Sequence, residues 1–467
     1  MHRPLVPAAL ALLLLAGCAL GPDYRKPAVP APEAFAEPGP WKVAAPKDTL
    51  PKDTWWKIFG DPVLDSLEQQ AATASPTLQA AVARRDQAWA LAGVARGDYF
   101  PQVALDPSAS RTRYSGHRPV SPTSSHAAYT TGSFTLPLDL SYEVDLWGRV
   151  RRANESARSL AEAGSANYQT VLLGVQADVA QTYFQVRSLE AEHALVTRSV
   201  ATRREALQLV RTRFQGGASG ELDVLRAETE LAAAENDALA LEQRRHQLRR
   251  ALAVLCGQLP ENFSLAAAAN AGGAPAIPVG LPSELLERRP DVAAAERVLA
   301  AANAQIGIAK AAFFPSIRLI GSAGYNSSEL DSLFQWDSRQ WTLGPLVSLP
   351  LFQGGRTRAN YQRAQAVYEE AVANYRQRVL VAFQEVENAL GSRRYLDEQD
   401  AVISRAVAAS RQAAGLSTLR YKSGLVSYLE VVDAERTALQ NERLATQLST
   451  QRLLASVLLV KALGGGW

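Results

Sequence analysis

Few side chains in this chain are placed to do chemistry. Five histidines stand at positions 2, 117, 126, 193 and 246, with no His-x-x-x-His pair and no cysteine at a zinc-site spacing. Gly216-Gly217-Ala218-Ser219-Gly220 has the glycine content of a phosphate loop, but no Gly-Lys-Ser/Thr follows, and a turn between two helices accounts for it. No catalytic residue and no metal site is therefore expected. One residue is placed for chemistry done to it. Met1-His2-Arg3-Pro4 precedes an apolar run from Leu5 to Ala16, and Leu15-Ala16-Gly17 leads into Cys18. The run is too short to cross a bilayer as a helix and ends on small residues, as a cleaved lipoprotein export signal over 1–17 does. Cys18 is then the acylated N-terminus, carrying a diacylglycerol and an N-acyl chain, and no other cofactor is expected. Ala19 stands where a lipoprotein retained in the inner membrane more usually has Asp, so the outer membrane is the expected destination.

The only other cysteine is Cys256, in Leu252-Ala253-Val254-Leu255-Cys256-Gly257, which reads as a small apolar residue near a helix end. With Cys18 acylated, no intramolecular disulfide remains possible in the mature chain. Lys+Arg 49 against Asp+Glu 46 leaves a formal charge of +3, no footprint for a phosphate backbone, and nucleic acid is not an expected partner.

The elements that position these residues are written twice. Residues 18–60 form an acylated, Pro-rich tether, with prolines at 22, 27, 30, 32, 38, 40, 46 and 51. A first repeat over 61–265 and a second over 283–463 are separated by a linker at 266–282. Pro76–Pro101 matches Pro290–Pro315 without a gap, and both end in aromatic-Phe-Pro. Gly148-Arg149-Val150-Arg151 matches Gly355-Arg356-Thr357-Arg358, and Ala166-Asn167-Tyr168 matches Ala373-Asn374-Tyr375. Arg213-Phe214 with Gly217 matches Arg420-Tyr421 with Gly424 at the same offset. Each repeat thus reads as a helix, a β-hairpin (102–147; 315–352), a long helix (149–214; 356–422) and a return helix (221–257; 427–462).

After each Phe-Pro the period changes from helical to alternating. Phe134, Leu136, Leu138, Leu140, Tyr142, Val144 and Leu146 are apolar at every second position, and Thr135, Asp139, Ser141, Glu143 and Asp145 lie between them. Weaker alternation recurs at Val103, Leu105 and Ala109, at Ile317, Leu319, Ala323 and Tyr325, and at Trp341, Leu343, Val347, Leu349 and Leu351, giving four strands. A half-buried strand of a soluble sheet has the same pattern. In an exported lipoprotein without an apolar helix, however, strands this long fit a closed membrane barrel, which four strands cannot complete alone. Pro137 and Pro345 are expected to mark bulges or broken ladders. The segment from Arg149 to Phe214 has no proline and would reach about 100 Å as a helix. Its stripe Val150, Ala153, Ala157, Leu160, Gly164, Asn167, Val171, Val175, Val179, Thr182, Val186 and Leu189, with Val372, Tyr375, Val379, Ala382, Val386 and Ala389 in the second repeat, reads as a coiled-coil seam.

These features resemble the TolC-like outer membrane factor family, and within it the lipoprotein (NodT/OprM-type) branch that serves resistance-nodulation-division (RND) tripartite efflux systems. The resemblance covers nearly the whole chain. It rests on Gly17-Cys18-Ala19-Leu20-Gly21-Pro22-Asp23-Tyr24, Asp145-Leu146-Trp147-Gly148-Arg149, Leu286-Glu287-Arg288-Arg289-Pro290-Asp291-Val292, Phe313-Phe314-Pro315, Leu351-Phe352-Gln353-Gly354-Gly355 and the terminal Ala462–Trp467. It implies a mixed α/β membrane protein: a homotrimeric, twelve-stranded outer-membrane β-barrel, four strands per protomer, continued by a long periplasmic α-helical barrel. The implied function is the exit duct of an efflux pump, passively conducting substrates to the outside. The implied partners are a periplasmic adaptor (membrane fusion) protein, an inner-membrane RND-type transporter and outer-membrane lipid. A type I secretion channel and a pore-less periplasmic coiled-coil scaffold remain alternatives.

On that reading the two glycine turns form the periplasmic tip, and the gate candidates are Arg213, Phe214, Gly217, Glu221, Asp223, Arg420, Tyr421, Gly424, Val426 and Ser427. Arg213, Arg420 and Tyr421 precede the turns and Glu221 and Asp223 follow the first, so opposite charges and a phenol are expected to tie neighbouring tips together. Related channels often carry an Asp inside the second turn, where this chain has Val426 and Ser427.

Overall fold

A computed structural model describes residues 19–28, 52–118, 127–266, 274–275, 277 and 288–465. Cys18, the linker core and the first outer loop (119–126) lie outside the described residues. The chain forms two compact units: unit 1 holds 1–28, 85–164 and 294–375, and unit 2 holds 29–84, 165–293 and 376–467.

In chain order the elements are α1 (Pro62–Ala74), α2 (Pro76–Gly97), β1 (Gln102–Leu105), β2 (Ser108–Tyr114), β3 (Tyr129–Val144), α3 (Arg149–Gln215) and α4 (Glu221–Leu255). The second repeat follows with α5 (Pro290–Ala311), β4 (Ser316–Ser327), β5 (Arg339–Ser348), α6 (Arg356–Lys422) and α7 (Tyr428–Ala462). The two long helices have the same length, 67 residues each, and so do the two return helices, at 35. No described helix is long and apolar enough to cross a membrane.

Unit 1 is built on an antiparallel sheet, with β1 and β2 both on one side of β3, then β4, then β5 at the other edge. The expected first strand is therefore two segments. Asp106 and Pro107 interrupt it without changing register, since Leu105 pairs with Leu138 and Ser108 with Thr135. Pro107 has no N–H to give and Pro137 stands opposite this gap, so the ladder expected to break there is interrupted only on the β1/β2 side, where Asp106 N–H still donates to Pro137 O at 3.3 Å. It continues on the β4 side through the Pro137–Gly324 pair with no residue inserted. At Pro345 the expectation fails, because β4 and β5 stay in register through the Leu319–Pro345 pair. A proline is tolerated on an edge strand.

The strands also end earlier than alternation alone predicts. β3 stops at Val144 because Asp145 turns to accept from the N–H groups of Val150 (3.0 Å) and Arg151 (2.9 Å), satisfying free donors in the first turn of α3. β5 stops at Ser348, before Pro350, which leaves Leu349 and Leu351 outside the ladder.

Unit 2 has its core where the Pro-rich tether was expected to continue. Lys52–Phe59 is a 3-10 segment, and Trp55, Trp56 and Phe59 are buried with Leu64, Leu67, Ala71, Val179, Tyr183, Leu252 and Cys256. Asp61 caps α1, accepting from Val63 N–H (2.9 Å) with Pro62 at the first helical position, and its other oxygen takes the Tyr183 hydroxyl at 2.5 Å. The seam expected on α6 is largely buried, as Tyr375, Val379, Ala382, Val386 and Ala389 show. On α3 only part of the expected stripe is buried. Leu160 is exposed, and Ala161, Ala177, Ala180 and Tyr183 are buried off the stripe, because this helix packs on more than one side.

Candidate functional site

Unit 1 presents a sheet with two chemically distinct faces. Directly paired residues share a face, so the ladders place Val103, Leu105 and Ala109 with Phe134, Leu136, Leu138, Leu140, Tyr142 and Val144. The same side continues through Ile317, Leu319, Gly321, Ala323 and Tyr325 to Trp341, Leu343, Pro345 and Val347. From Phe134 to Val144 this face runs about 33 Å at roughly 3.3 Å per residue. It is uncovered: Trp341 is 80% exposed and Leu343 65%. The opposite face carries Gln102, Ser108, Ser110, Thr112, Thr135, Asp139, Ser141, Glu143, Arg318, Ser322 and Thr342. An apolar area this wide belongs against lipid or another apolar surface.

Aromatic side chains mark both ends of the apolar face. At the hairpin end Phe334, Trp336 and Trp341 are exposed, with Phe334 packed on Tyr325 at 5.6 Å between ring centres. At the helical end stand the exposed Tyr99, Phe100, Phe313 and Phe352. The strand-to-helix joint there is rigid. Trp147 Nε1–H donates to Pro315 O at 2.7 Å and the indole packs on Phe314, while Arg149 grips both oxygens of Glu143 at 2.6 and 2.8 Å.

In unit 2 the two glycine turns lie together and have the same geometry. Gly217 and Gly424 sit at φ +73° and +75°, where a β-carbon is strained. In each, an N–H five residues on closes the helix end: Ala218 onto Arg213 O at 2.8 Å and Leu425 onto Arg420 O at 2.9 Å. Arg213 joins the turns. Its guanidinium donates to the carbonyls of Tyr421 (3.1 Å) and Lys422 (3.0 Å), the terminal acceptors of α6, and lies 4.6 Å from the centre of the Tyr421 ring.

Within this single chain the phenol expected to help tie neighbouring tips together packs inward. Tyr421 is only 6% exposed, packed with Leu207, Val210, Ala227, Tyr428, Val431 and Val432. Burial pushes the Tyr428 phenol up to about 12. Arg420 faces Glu430 at 3.9 Å in the second repeat and Asp223 faces Arg226 at 3.8 Å in the first, so neither pair joins the two repeats. Glu221 opens α4, Val426 packs on the cluster, Ser427 precedes α7 without a side-chain cap, and Phe214 is exposed. Sequence reasoning missed Glu230. It is buried on α4 and held by Arg203 of α3 at 3.2 Å and by Arg436 of α7, tying three helices about two to three turns behind the tip. Its partners are far away in the sequence, so no local spacing signals it.

Among the described residues, no group of three His, Cys, Asp or Glu side chains is placed to hold a metal. The family model described as outer membrane efflux protein matches residues 67–258 and 281–465. The chain is 36% identical to the pyoverdine export outer membrane protein OpmQ of Pseudomonas putida, over all of this chain and 97% of that one. Among solved structures it is similar to the outer-membrane channel OprN (TM-score 0.86, 33% identity, covering 96% of this chain and 100% of that one). The open state of the Neisseria gonorrhoeae MtrE outer membrane channel has TM-score 0.84 at 33% identity, covering 96% of this chain and 98% of that one.

Proposed function

Because the chain belongs to the outer membrane efflux protein family, we propose that it is the outer-membrane exit duct of a tripartite efflux pump, conducting substrates passively to the outside. In this reading three copies pair the β1/β2 edge of one sheet with the β5 edge of the next, giving a twelve-stranded barrel. The apolar face meets lipid and the polar face lines the lumen. An adaptor protein and an RND-type transporter supply substrate at the periplasmic end, where the helices form the wall. The observation that carries the reading is the uncovered apolar face, continuous through four strand positions and bounded by aromatic residues at both ends, on a sheet whose two edges are unpaired in the single chain.

The test is reconstitution of the purified full chain in planar bilayers, alongside mobility on gels before and after heating. Discrete conductance steps from a heat-resistant trimer are expected. A stable oligomer that never conducts would favour the pore-less scaffold.

The paired glycine turns are proposed as the closed end of this duct, with Arg213 and the buried Tyr421 holding α3 to α6. Replacing Arg420 and Tyr421 together with Ala should raise conductance and vancomycin entry in cells. If both stay unchanged, these residues are not part of the gate.

A further inference from the structure

Residues 19–28 of unit 1 do not behave as a loose tether. They lie extended along α5 in the reverse direction and touch the first repeat as well. Leu20 N–H donates to Trp147 O at 3.0 Å, and Arg152 Nε donates to Leu20 O at 3.4 Å. Asn303 Nδ2 donates to Pro22 O at 2.9 Å. Arg152, itself buried, binds Asp23 at 2.8 Å, and Lys26 binds Glu296 at 2.8 Å.

Three glycines make the contact possible. A β-carbon at Gly307 would stand 2.6 Å from Leu20 O, and one at Gly21 would stand 2.5 Å from Gly307 Cα. Gly21 also sits at φ +103°, and a β-carbon at Gly148 would meet the Ala19 Cα at 2.7 Å. Trp147, Gly148 and Arg152 belong to the first repeat, and Glu296, Asn303 and Gly307 to the second.

We infer that unit 1 carries a peptide-binding groove whose occupant is the chain's own segment Ala19–Ala28, and that this segment is a clamp stapling the two repeats at the base of the sheet. The groove reads a pattern of small residue, any residue, Gly: main-chain atoms at 20 and 22 are bonded, side chains larger than hydrogen are excluded at 21, and Arg152 adds an ion pair to the exposed acid at 23. Every one of these contacts is made by polypeptide. The clamp therefore holds without a lipid on Cys18, and it sets where that lipid is delivered, one peptide link from a residue lying against the strand-to-helix joint. This inference does not rest on the efflux reading.

Amide hydrogen exchange on the purified full-length protein tests it. The Leu20 N–H should be protected in the native chain and equally in Cys18→Ser. In Gly307→Ala its exchange should be at least tenfold faster, although alanine suits the middle of a helix better than glycine does. Lys26→Glu and Glu296→Lys should each speed exchange, and the two together should restore protection, which a merely misfolded chain would not do. Exchange along the β3–β4 ladder serves as the control for folding. The inference is overturned if Leu20 is unprotected in the native chain, if Cys18→Ser alone releases it, or if Gly307→Ala leaves it protected.

Discussion

At the residue scale the decisive features are buried polar groups whose partners are distant in sequence. Glu68 on α1 is fully buried, and neither carboxyl oxygen has a hydrogen-bond partner. Burial, with Asp65 nearby, pushes its carboxyl up to about 9 from the ordinary 4.5. The unfolded chain ionises this group above the ordinary value and the folded chain holds it neutral, so stability is full at low pH and falls as pH rises from about 4.5 toward 9. Glu68→Gln should flatten that slope and raise the thermal midpoint near pH 8, the gain being at most about 5 kcal/mol. Melting curves of both proteins across that range, followed by circular dichroism, check it. Arg213→Ala should free the end of α6 by removing two donors and a cation resting on Tyr421, and exchange at the Gly424 and Leu425 amides should quicken several-fold. The sequence showed that Arg213, Arg420 and Tyr421 recur beside equivalent turns. It could not show that Tyr421 is buried and Arg213 is bound to carbonyls, since those facts depend on residues about two hundred positions away.

At the scale of elements, alternation made the strands legible and their ends less so. A period of two reports which face a side chain takes, but the end of a strand is set by backbone donors and acceptors. Asp145 ends β3 by capping α3, and Pro350 follows the end of β5. The Asp106-Pro107 break in the first strand was available as a local signal, because that dipeptide lacks a donor and favours a turn. The tryptophans of the 3-10 segment were hidden by the prolines that precede them. Face assignment yields a paired prediction. Leu138→Lys should destabilise the assembled protein by about 2–4 kcal/mol if its face meets the bilayer midplane. Asp139→Lys, one residue on, should be far milder. The fraction of heat-resistant oligomer in membranes reads both, and equal damage would remove the barrel assignment of β3.

At the scale of the molecule, the internal repeat was the most legible property, because a whole series of helix, hairpin, long helix and return helix recurs in order. The number of chains was not written in any periodicity and entered only through resemblance. Cys18→Ser should abolish incorporation of labelled palmitate; retained label would move the acylation site elsewhere. The sheet itself sets an order of events in the life of the protein. Its edges find no partner in one chain and its greasy face finds no cover, so a newly exported copy cannot finish folding alone in water. If the sheet closes with other copies as proposed, it must be held back from wrong partners until they arrive, and that wait shortens as copies accumulate. Maturation should therefore depend on dose, with scarce chains lost to proteases and abundant ones rescued by one another.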